Sequence, residues 1–477
     1  MSLIRIAGPP GTGKTTKAMQ IVQENEDKSI AFISYTKSAI KSAVERLDFK
    51  ILNSPHNHFR TLHSLCSKLL KIDELTVLTE RETEKWAESL KLTPEQKDTF
   101  LSIYDYQRNA LIPDKHLSLL VMDIDRYKKI RTEYEKFKKE INKFDYTDII
   151  FYAYKFKVYP PVELLIIDEA QDLSRLQWTL VNFWITKIPE TIIIGDDDQT
   201  IYSHLGADPD FFIKLKPHLH DELLVSYRLP KVIYRFSKKV IEKNKNRIQK
   251  KFKPHNKNKE GQIIYSNVDT AVEKSLKDKK SLFLLYRNRR YFKEAEEYLR
   301  KNFIPYTYIG HSSDNVFLIY KSILEDKPIT IEELKILLKV VNVKKEEKDK
   351  VRKSLYKYSA KDVIIDDPYI NAFLELVRKT GIYELFKDRS FSTVVYWEYI
   401  IKKYKHYEIV DTPIKIGTIH SSKGLEADNV YLSLKQTKQT YLKSDIETER
   451  RIFYVGITRA REKVYIPLDN GKRFFNL

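Results

Sequence analysis

The chain has 477 residues, of which 42% are hydrophobic, and its formal net charge at pH 7 is +19. This length predicts two to four domains, and the lack of any run of 18 apolar residues excludes a membrane-spanning helix. The single cysteine, Cys66, excludes an internal disulfide and a cysteine-based zinc site, and it favours a reducing, cytoplasmic location. The excess positive charge favours nucleic acid as a partner, although lysine-rich faces in contact with solvent are the simpler alternative.

The first predicted elements are a strand at 3–7 and a helix that includes residues 17–22, with a glycine-rich loop between them. The loop matches the pattern G-x-x-x-x-G-K-[ST] in full, and its nucleotide-binding residues are Gly8, Pro9, Pro10, Gly11, Thr12, Gly13, Lys14, Thr15 and Thr16. Backbone N–H groups of such a loop surround phosphate oxygens, and the helix N-terminus adds its positive dipole end. Lys14 is expected to reach the β- and γ-phosphates and Thr15 to bind Mg²⁺, so the sequence predicts binding and hydrolysis of a nucleoside triphosphate.

Two acidic residues follow a second predicted strand, at 164–167. The strand has four apolar residues and is predicted to lie buried in a parallel sheet, with Asp168 and Glu169 at its carboxyl end. Asp168 is expected to hold Mg²⁺ through water, and Glu169 to orient and deprotonate the attacking water. The long stretch between Lys14 and Asp168 exceeds what a β–α repeat needs and predicts an inserted domain.

The remaining elements follow in chain order. Residues 55–144 are predicted to be mostly helical with a basic face, and 191–194 to form another strand of the first sheet. Residues 238–259 are predicted to form a basic helix that runs into a loop, and 312–406 a second charged, helical insertion. The strands of a second α/β half are predicted at 262–265, 281–286, 415–418, 429–432 and 464–466.

Nine short motifs in a fixed order give the chain a family resemblance. They are Gly8–Thr15, Tyr35–Ala39, Thr61–His63, Asp145–Asp148, Asp168–Asp172, Gly195–Tyr202 with Gly206-Ala207, Ser226–Arg228, Thr418–Glu426 and Tyr454–Arg461. In this order they resemble the superfamily 1 helicases of the UvrD/Rep/PcrA group, over nearly the whole chain.

The resemblance implies an α/β fold with two RecA-like P-loop NTPase domains, each with a parallel sheet and a mainly helical insertion. The first RecA-like domain is then expected at 1–54 and 145–225, with its insertion at 55–144. The second is expected at 226–311 and 407–477, and its short insertion at 312–406.

The resemblance also assigns roles around the nucleotide, which it implies to be ATP with Mg²⁺. Gln199 is expected to sense the γ-phosphate, and Tyr227 to stack on adenine. Arg228 and Arg459 resemble the group's two arginine fingers, both expected from the second α/β half, so that hydrolysis depends on closure of the halves. Glu426 resembles the group's ribose contact.

Other motif residues are expected to bind single-stranded DNA. The residues that match the group's contacts to the DNA backbone are Thr36, Lys37, Thr61 and His63, and those that match its contacts to the DNA strand from the second half are Thr418 and His420. Tyr35, Tyr202 and His204 are candidate platforms for unpaired bases, although a tyrosine is more often a core residue.

The sequence departs from the group's pattern in three places. Seven residues precede Gly8, where the group has a longer glutamine-containing segment that recognises adenine. His204-Leu205 stands in place of an aromatic residue and an arginine. The second insertion is short for the group.

The sequence and its family resemblance therefore predict an ATP hydrolase that unwinds duplexes from single-strand/duplex junctions, without a membrane partner. The resemblance implies that it moves 3′→5′ on single-stranded DNA. One alternative is a translocase that strips proteins from single strands with little unwinding. Another is a nucleic-acid clamp that uses nucleotide only as a switch. RNA is also open as the track, because no residue pattern addresses the 2′-hydroxyl.

Overall fold

The computed structural model describes residues 1–34, 37–52, 54–310, 315–355, 358, 367–468 and 473–477. The chain divides into two compact units. The first comprises Met1–Asn258 and Asp445–Tyr454, and the second comprises Lys259–Ser444 and Val455–Leu477. Each unit contains a six-stranded sheet in which all neighbouring strands are parallel.

The first sheet has the strand order β3-β2-β4-β5-β1-β6. Its strands are β1 (Ser2–Ala7), β2 (Ile30–Ser34), β3 (His58–Thr61), β4 (Leu164–Ile167), β5 (Glu190–Gly195) and β6 (Leu219–Glu222). The central strands are continuous apolar runs because helices cover both faces of a parallel sheet. Ala7 pairs with Gly195 and Ile33 with Ile167, so β1, β2, β4 and β5 end at the same edge. The phosphate loop and the acidic motifs begin at that edge.

Helices surround the first sheet and form its insertion. They are α1 (Lys14–Glu24), α2 (Lys37–Val44), α3 (Phe49–Leu52), α4 (Leu62–Leu70), α5 (Glu80–Ser89), α6 (Pro94–Asn109), α7 (Ile124–Glu140), α8 (Tyr146–Lys155), α9 (Arg175–Ile185), α10 (Pro209–Ile213) and α11 (Lys231–Ile241). Capping boxes fix the starts of α5, α6, α8 and α9. Helices α5 to α7 pack around an aromatic core of their own, which includes Trp86, Phe100 and Tyr134. Two short strands, β7 (Val225–Ser226) and β8 (Lys253–Pro254), pair near the end of the unit.

The second sheet has the order β11-β12-β10-β13-β14-β9. Its strands are β9 (Gln262–Tyr265), β10 (Leu282–Tyr286), β11 (Thr307–Tyr308), β12 (Ile414–Thr418), β13 (Ala427–Leu432) and β14 (Ala460–Ile466). The helices of this unit are α12 (Val268–Lys277), α13 (Phe292–Lys301), α14 (Val316–Leu324), α15 (Ile331–Val340), α16 (Lys345–Ser354), α17 (Pro368–Lys379), α18 (Ile382–Leu385), α19 (Phe391–Lys403), α20 (His406–Val410) and α21 (Lys438–Lys443). A last helix, α22 (Ile446–Ile457), begins in the first unit and ends in the second.

Among the described residues, the helices α14 to α20 share one core with the second sheet. Residues Leu334, Phe373 and Trp397 belong to one continuous cluster of buried side chains with Leu284 and Ile416 of the second sheet. The second helical stretch is thus packed into its sheet, whereas α5 to α7 have their own aromatic cluster.

The predicted fold class is confirmed, and the predicted strands are present to within a few residues. Two details differ. Residues 55–144 include strand β3, and α11 ends at Ile241, so most of 238–259 is not helical.

The compact units divide at Asn258 rather than near 225, while the finer division into four domains stays a prediction. Among the helices of the described ranges, none is long and apolar enough to cross a membrane.

Candidate functional site

The phosphate loop turns tightly between β1 and α1. Gly11 and Gly13 have left-handed φ angles of 72° and 83°, which a side chain would disfavour. The backbone N–H of Gly8 donates to the Gly195 carbonyl at 2.8 Å, which ties the loop to β5. The Nζ of Lys14 donates to the Gly8 carbonyl at 2.9 Å and lies 3.4 Å from Oε1 of Glu169. The predicted phosphate-binding lysine therefore lies beside the predicted general base.

Thr15 and Asp168 meet at the start of α1. The Thr15 hydroxyl donates to Oδ2 of Asp168 at 2.8 Å, and the carboxyl is 2% exposed. Burial and the neighbouring charge of Glu169 raise the pKa of Asp168 to about 6. A hydroxyl and a carboxylate are hard oxygen ligands of the kind that Mg²⁺ prefers, and a cation here would offset the adjacent negative charges. These two residues fit the predicted metal.

A turn after β4 fixes Glu169. Its φ of 55° is left-handed, and its N–H donates to Oδ1 of Asp168 at 2.9 Å. The side-chain amide of Gln171 donates to Oε2 of Glu169 at 2.6 Å, and the Gln171 Oε1 accepts from the backbone N–H of Asp196 at 2.9 Å. Gln171 thus joins the two acidic loops. No role was predicted for it from the sequence, although it lies inside a matched motif.

Gln199 ends a short 3₁₀ turn, Asp197–Gln199, that follows β5. Its side chain is buried, and its amide donates to Oδ2 of Asp196 at 2.7 Å. The residues Lys14, Thr15, Asp168, Glu169 and Gln199 are therefore brought together at the carboxyl edge of one sheet.

The segment that carries Tyr227 and Arg228 packs on the phosphate loop. The Ser226 hydroxyl donates to the Pro10 carbonyl at 2.7 Å, and the Tyr227 N–H donates to the Gly11 carbonyl at 2.9 Å. A Cβ on Gly11 would lie 2.5 Å from the Cβ of Arg228, so this close approach requires glycine.

This packing corrects one expectation, because Arg228 belongs to the first unit with the phosphate loop and not to the second. The physical reason is the pair of hydrogen bonds that Ser226 and Tyr227 donate to loop carbonyls. The Tyr227 ring is 67% exposed and stacks on His255 with ring centroids 5.2 Å apart, so it can accept a flat base.

Four predicted residues belong to the second unit, namely Thr418, His420, Glu426 and Arg459. Arg459 is buried, with its Nε donating to the Val455 carbonyl at 3.0 Å, and Glu426 accepts from Nε of Arg461 at 2.8 Å. The Thr418 hydroxyl accepts from the Ser421 N–H at 3.1 Å in the turn after β12, and His420 lies half-buried in that turn.

Two cavities of about 260 Å³ lie beside the predicted nucleic-acid residues of the first unit. Both are lined by His63, and one of them also reaches Asp168. The other is lined by Tyr146 and His204, and the Tyr146 ring, 65% exposed, meets His63 edge-on at 6.0 Å. Tyr146 was missed because tyrosine is common in this chain, but its position in the Asp145–Asp148 motif was a usable signal.

Protein atoms surround His63 and change its acidity. Burial lowers its pKa to about 4, so the imidazole is neutral at pH 7. Thr61 caps α4 by accepting from the Ser64 N–H, and Tyr202 lies 6.2 Å from His204, centroid to centroid. The predicted contacts Tyr35 and Thr36 fall outside the described residues, and Lys37 is described only as the first residue of α2.

Sequence comparison gives two family matches and several distant relatives. A "Probable DNA helicase II homolog" of Mycoplasma capricolum is 25% identical over 64% of this chain and 50% of its own length. A "Putative ATP-dependent DNA helicase YjcD" of Bacillus subtilis is 23% identical over 79% of this chain and 62% of its own length. The match thus spans one half to under two thirds of these two proteins.

An "ATP-dependent DNA helicase PcrA" of Staphylococcus epidermidis is 22% identical over 99% of this chain and 82% of its own length. Residues 2–220 match the model of the UvrD/REP helicase N-terminal domain, and residues 315–470 match that of the UvrD-like helicase C-terminal domain. Together the two models cover more than three quarters of the 477 residues. The chain therefore belongs to the UvrD/REP helicase family.

Proposed function

We propose that this protein is an ATP-dependent helicase that moves 3′→5′ along single-stranded DNA and separates duplexes at single-strand/duplex junctions. The observation that carries this proposal is the assembly of Lys14, Thr15, Asp168, Glu169 and Gln199 at one edge of the first sheet. The names of the relatives support DNA as the track. The location is proposed to be cytoplasmic.

The residues divide the chemistry of hydrolysis among them. Thr15 and Asp168 would hold Mg²⁺, which supplies charge neutralisation at the β- and γ-phosphates when bound. Lys14 would bind the same phosphates, and Glu169 would take the proton from the attacking water, since Gln171 fixes its carboxylate. Tyr227 and Glu426 would contact the base and ribose, and Arg228 and Arg459 would stabilise the transition state.

A translocase that displaces bound proteins with little unwinding is the second candidate. It is favoured by the continuous core that joins α14–α20 to the second sheet. A helical stretch without its own core cannot reorient as a separate body on a duplex, because movement would expose shared apolar surface. A nucleotide-switched clamp is less well supported, since a clamp does not need a positioned Glu169.

Strand separation on tailed duplexes tests the proposed function. With ATP and Mg²⁺, we expect a duplex with a 3′ single-stranded tail to open and a matched duplex with a 5′ tail to stay closed. Fluorescence of a labelled strand measures both. If neither duplex opens while single strands still stimulate ATP hydrolysis, the translocase is favoured, and displacement of a protein block from a single strand then tests it directly. Opening of the 5′-tailed duplex alone would contradict the polarity.

If His63 is neutral, replacing it should weaken DNA binding without changing how that binding depends on salt. The His63→Ala variant should lose affinity for single-stranded DNA by about 1.5–3 kcal/mol, the usual contribution of a hydrogen bond to a charged group, because His63 is a proposed contact to the DNA backbone. Between pH 6 and 8, the slope of log K against log salt concentration should be the same in the variant and in the wild type. The pKa of His63 is about 4, so the substitution removes no charge in this range. Titration of a labelled oligonucleotide at several salt concentrations measures both quantities.

Lys37→Ala is the matched comparison for that experiment. As a proposed phosphate contact, it should reduce the magnitude of the salt slope by about one. A reduced slope in His63→Ala at pH 7 would show that the imidazole is charged on DNA and would overturn the neutral assignment.

A further inference from the structure

Three consecutive buried carboxylates follow β5, and a single lysine contacts all of them. The Nζ of Lys250 lies 2.8 Å from Oδ1 of Asp196, 2.7 Å from Oδ1 of Asp197 and 2.7 Å from Oδ2 of Asp198. The side chains of all four residues are at most 2% exposed. Burial alone would lower the pKa of Lys250, but the three carboxylates outweigh it and raise that pKa, so the lysine is charged.

Other groups complete this aspartate cluster, defined as Asp196–Asp198 with Lys250. Arg247 donates from Nε and Nη2 to the two oxygens of Asp198 at 2.9 and 2.6 Å. The Ile248 N–H donates to Oδ2 of Asp197 at 2.9 Å, and Nε of Arg451 donates to the Asp197 carbonyl at 3.1 Å. All of these residues belong to the first unit.

The aspartate cluster is hydrogen-bonded to the hydrolysis machinery through Asp196. One oxygen of Asp196 contacts Lys250, and the other accepts from the side-chain amide of Gln199 at 2.7 Å. The backbone N–H of Asp196 donates to Gln171, which in turn donates to Glu169. Asp196 is therefore the junction between Lys250, the proposed γ-phosphate sensor and the proposed general base.

We propose that Lys250 is a positioning residue for ATP hydrolysis, which fixes Asp196 so that Gln199 and Gln171 hold their catalytic orientations. This inference rests on the proposed hydrolysis of ATP. Without the ammonium group, three carboxylates would share one loop, and the direct pairing of Asp196 and Asp197 with a lysine would be lost while Arg247 still pairs with Asp198. Their mutual repulsion would displace the loop, and displacements near 1 Å can cost about 10²-fold in rate.

A second buried lysine separates this role from simple stabilisation. Lys138 lies 2.7 Å from Oδ2 of Asp145 and 2.8 Å from Oδ2 of Asp148, and its side chain is 4% exposed. It matches Lys250 in burial and, because its Nζ also lies 3.4 Å from Oε2 of Glu135, in having three carboxylate partners. It lies on α7 in the helical insertion, and its carboxylate partners lie on α7 and at the start of α8 rather than in the loops that hold Glu169 and Gln199.

The test compares steady-state ATP hydrolysis by the full chain with a saturating single-stranded oligonucleotide. We expect Lys250→Met to lower kcat about 10²-fold with KM for ATP changed less than about threefold, and Lys250→Arg to recover part of kcat. Lys138→Met should lower thermal stability and leave kcat within about threefold. In a Gln199→Ala background, Lys250→Met should cost less than in the wild type, because one of the two links through Asp196 is already lost. Should Lys250→Met fail to fold, Asp196→Asn breaks the same link and should give the same kcat loss.

Three results would overturn the assignment. The kcat of Lys250→Met could equal that of Lys138→Met. The fold loss of kcat caused by Lys250→Met could be the same in the Gln199→Ala background as in the wild type. The Asp196→Asn variant could retain full kcat. Each of these requires a wild-type protein that hydrolyses ATP. A folded wild-type protein that does not hydrolyse ATP would instead overturn the proposed function, and the role of Lys250 with it.

Discussion

Replacing Lys14 with alanine is expected to abolish ATP hydrolysis, to below about a thousandth of the wild-type rate. The ammonium group is the positive charge that the phosphate loop directs at the phosphates. It also lies 3.4 Å from Glu169 and offsets part of the rise in the pKa of Asp168 that burial and Glu169 cause. Its loss would therefore remove a phosphate contact and, in addition, favour a protonated Asp168 that binds Mg²⁺ poorly.

Release of phosphate with and without a single-stranded oligonucleotide measures this effect. Lys28→Ala is a matched control, because Lys28 pairs with Glu190 at 2.8 Å at the opposite edge of the same sheet. The control should keep its full rate. Near-normal turnover by Lys14→Ala would remove the proposed site altogether.

The Arg228→Ala and Arg459→Ala variants should each lower kcat by a factor on the order of 10³. The charge that each guanidinium would stabilise develops in the transition state, so binding of ATP should change little. Arg459 also donates to the Val455 carbonyl at 3.0 Å, so its removal should lower thermal stability as well. Titration with a fluorescent ATP analogue, beside steady-state kinetics, separates the two effects.

Exposed, paired arginines serve as controls for both variants. Arg175 pairs with Asp208 at 2.9 Å in the first unit, and Arg352 pairs with Asp349 at 3.1 Å in the second. Alanine at either position should leave kcat unchanged, since surface ion pairs contribute little. If Arg228→Ala or Arg459→Ala retained wild-type kcat, that residue would not be an arginine finger.

The features that could be predicted are those written in short stretches of sequence. The phosphate loop and the strand before Asp168 are local patterns, so their elements and their common edge could be anticipated. The partners of these loops come from far along the chain. Lys250 looks like one lysine of a basic loop, and its three carboxylate contacts depend on the tertiary fold.

Two other features lay beyond sequence patterns for different reasons. Arg228 was expected in the second half because motif order says nothing about which sheet a connecting segment packs against. The packing is decided by hydrogen bonds to the carbonyls of Pro10 and Gly11. Strand β3 is short and follows a polar segment, so the helical character of the residues after it concealed it.

The ten residues Asp445–Tyr454, which return to the first unit after most of the second, have a consequence for protein synthesis. Arg451 donates to the carbonyl of Asp197, and Asn244 donates to that of Glu447 at 2.9 Å. A nascent chain therefore lacks part of the support of the loop that carries Gln199 until the ribosome has translated residues 445–454. A first unit made of one continuous segment would be complete early, but this one is completed only after residues 259–444 of the second unit have been synthesised, and the proposed ATP hydrolysis cannot begin before then.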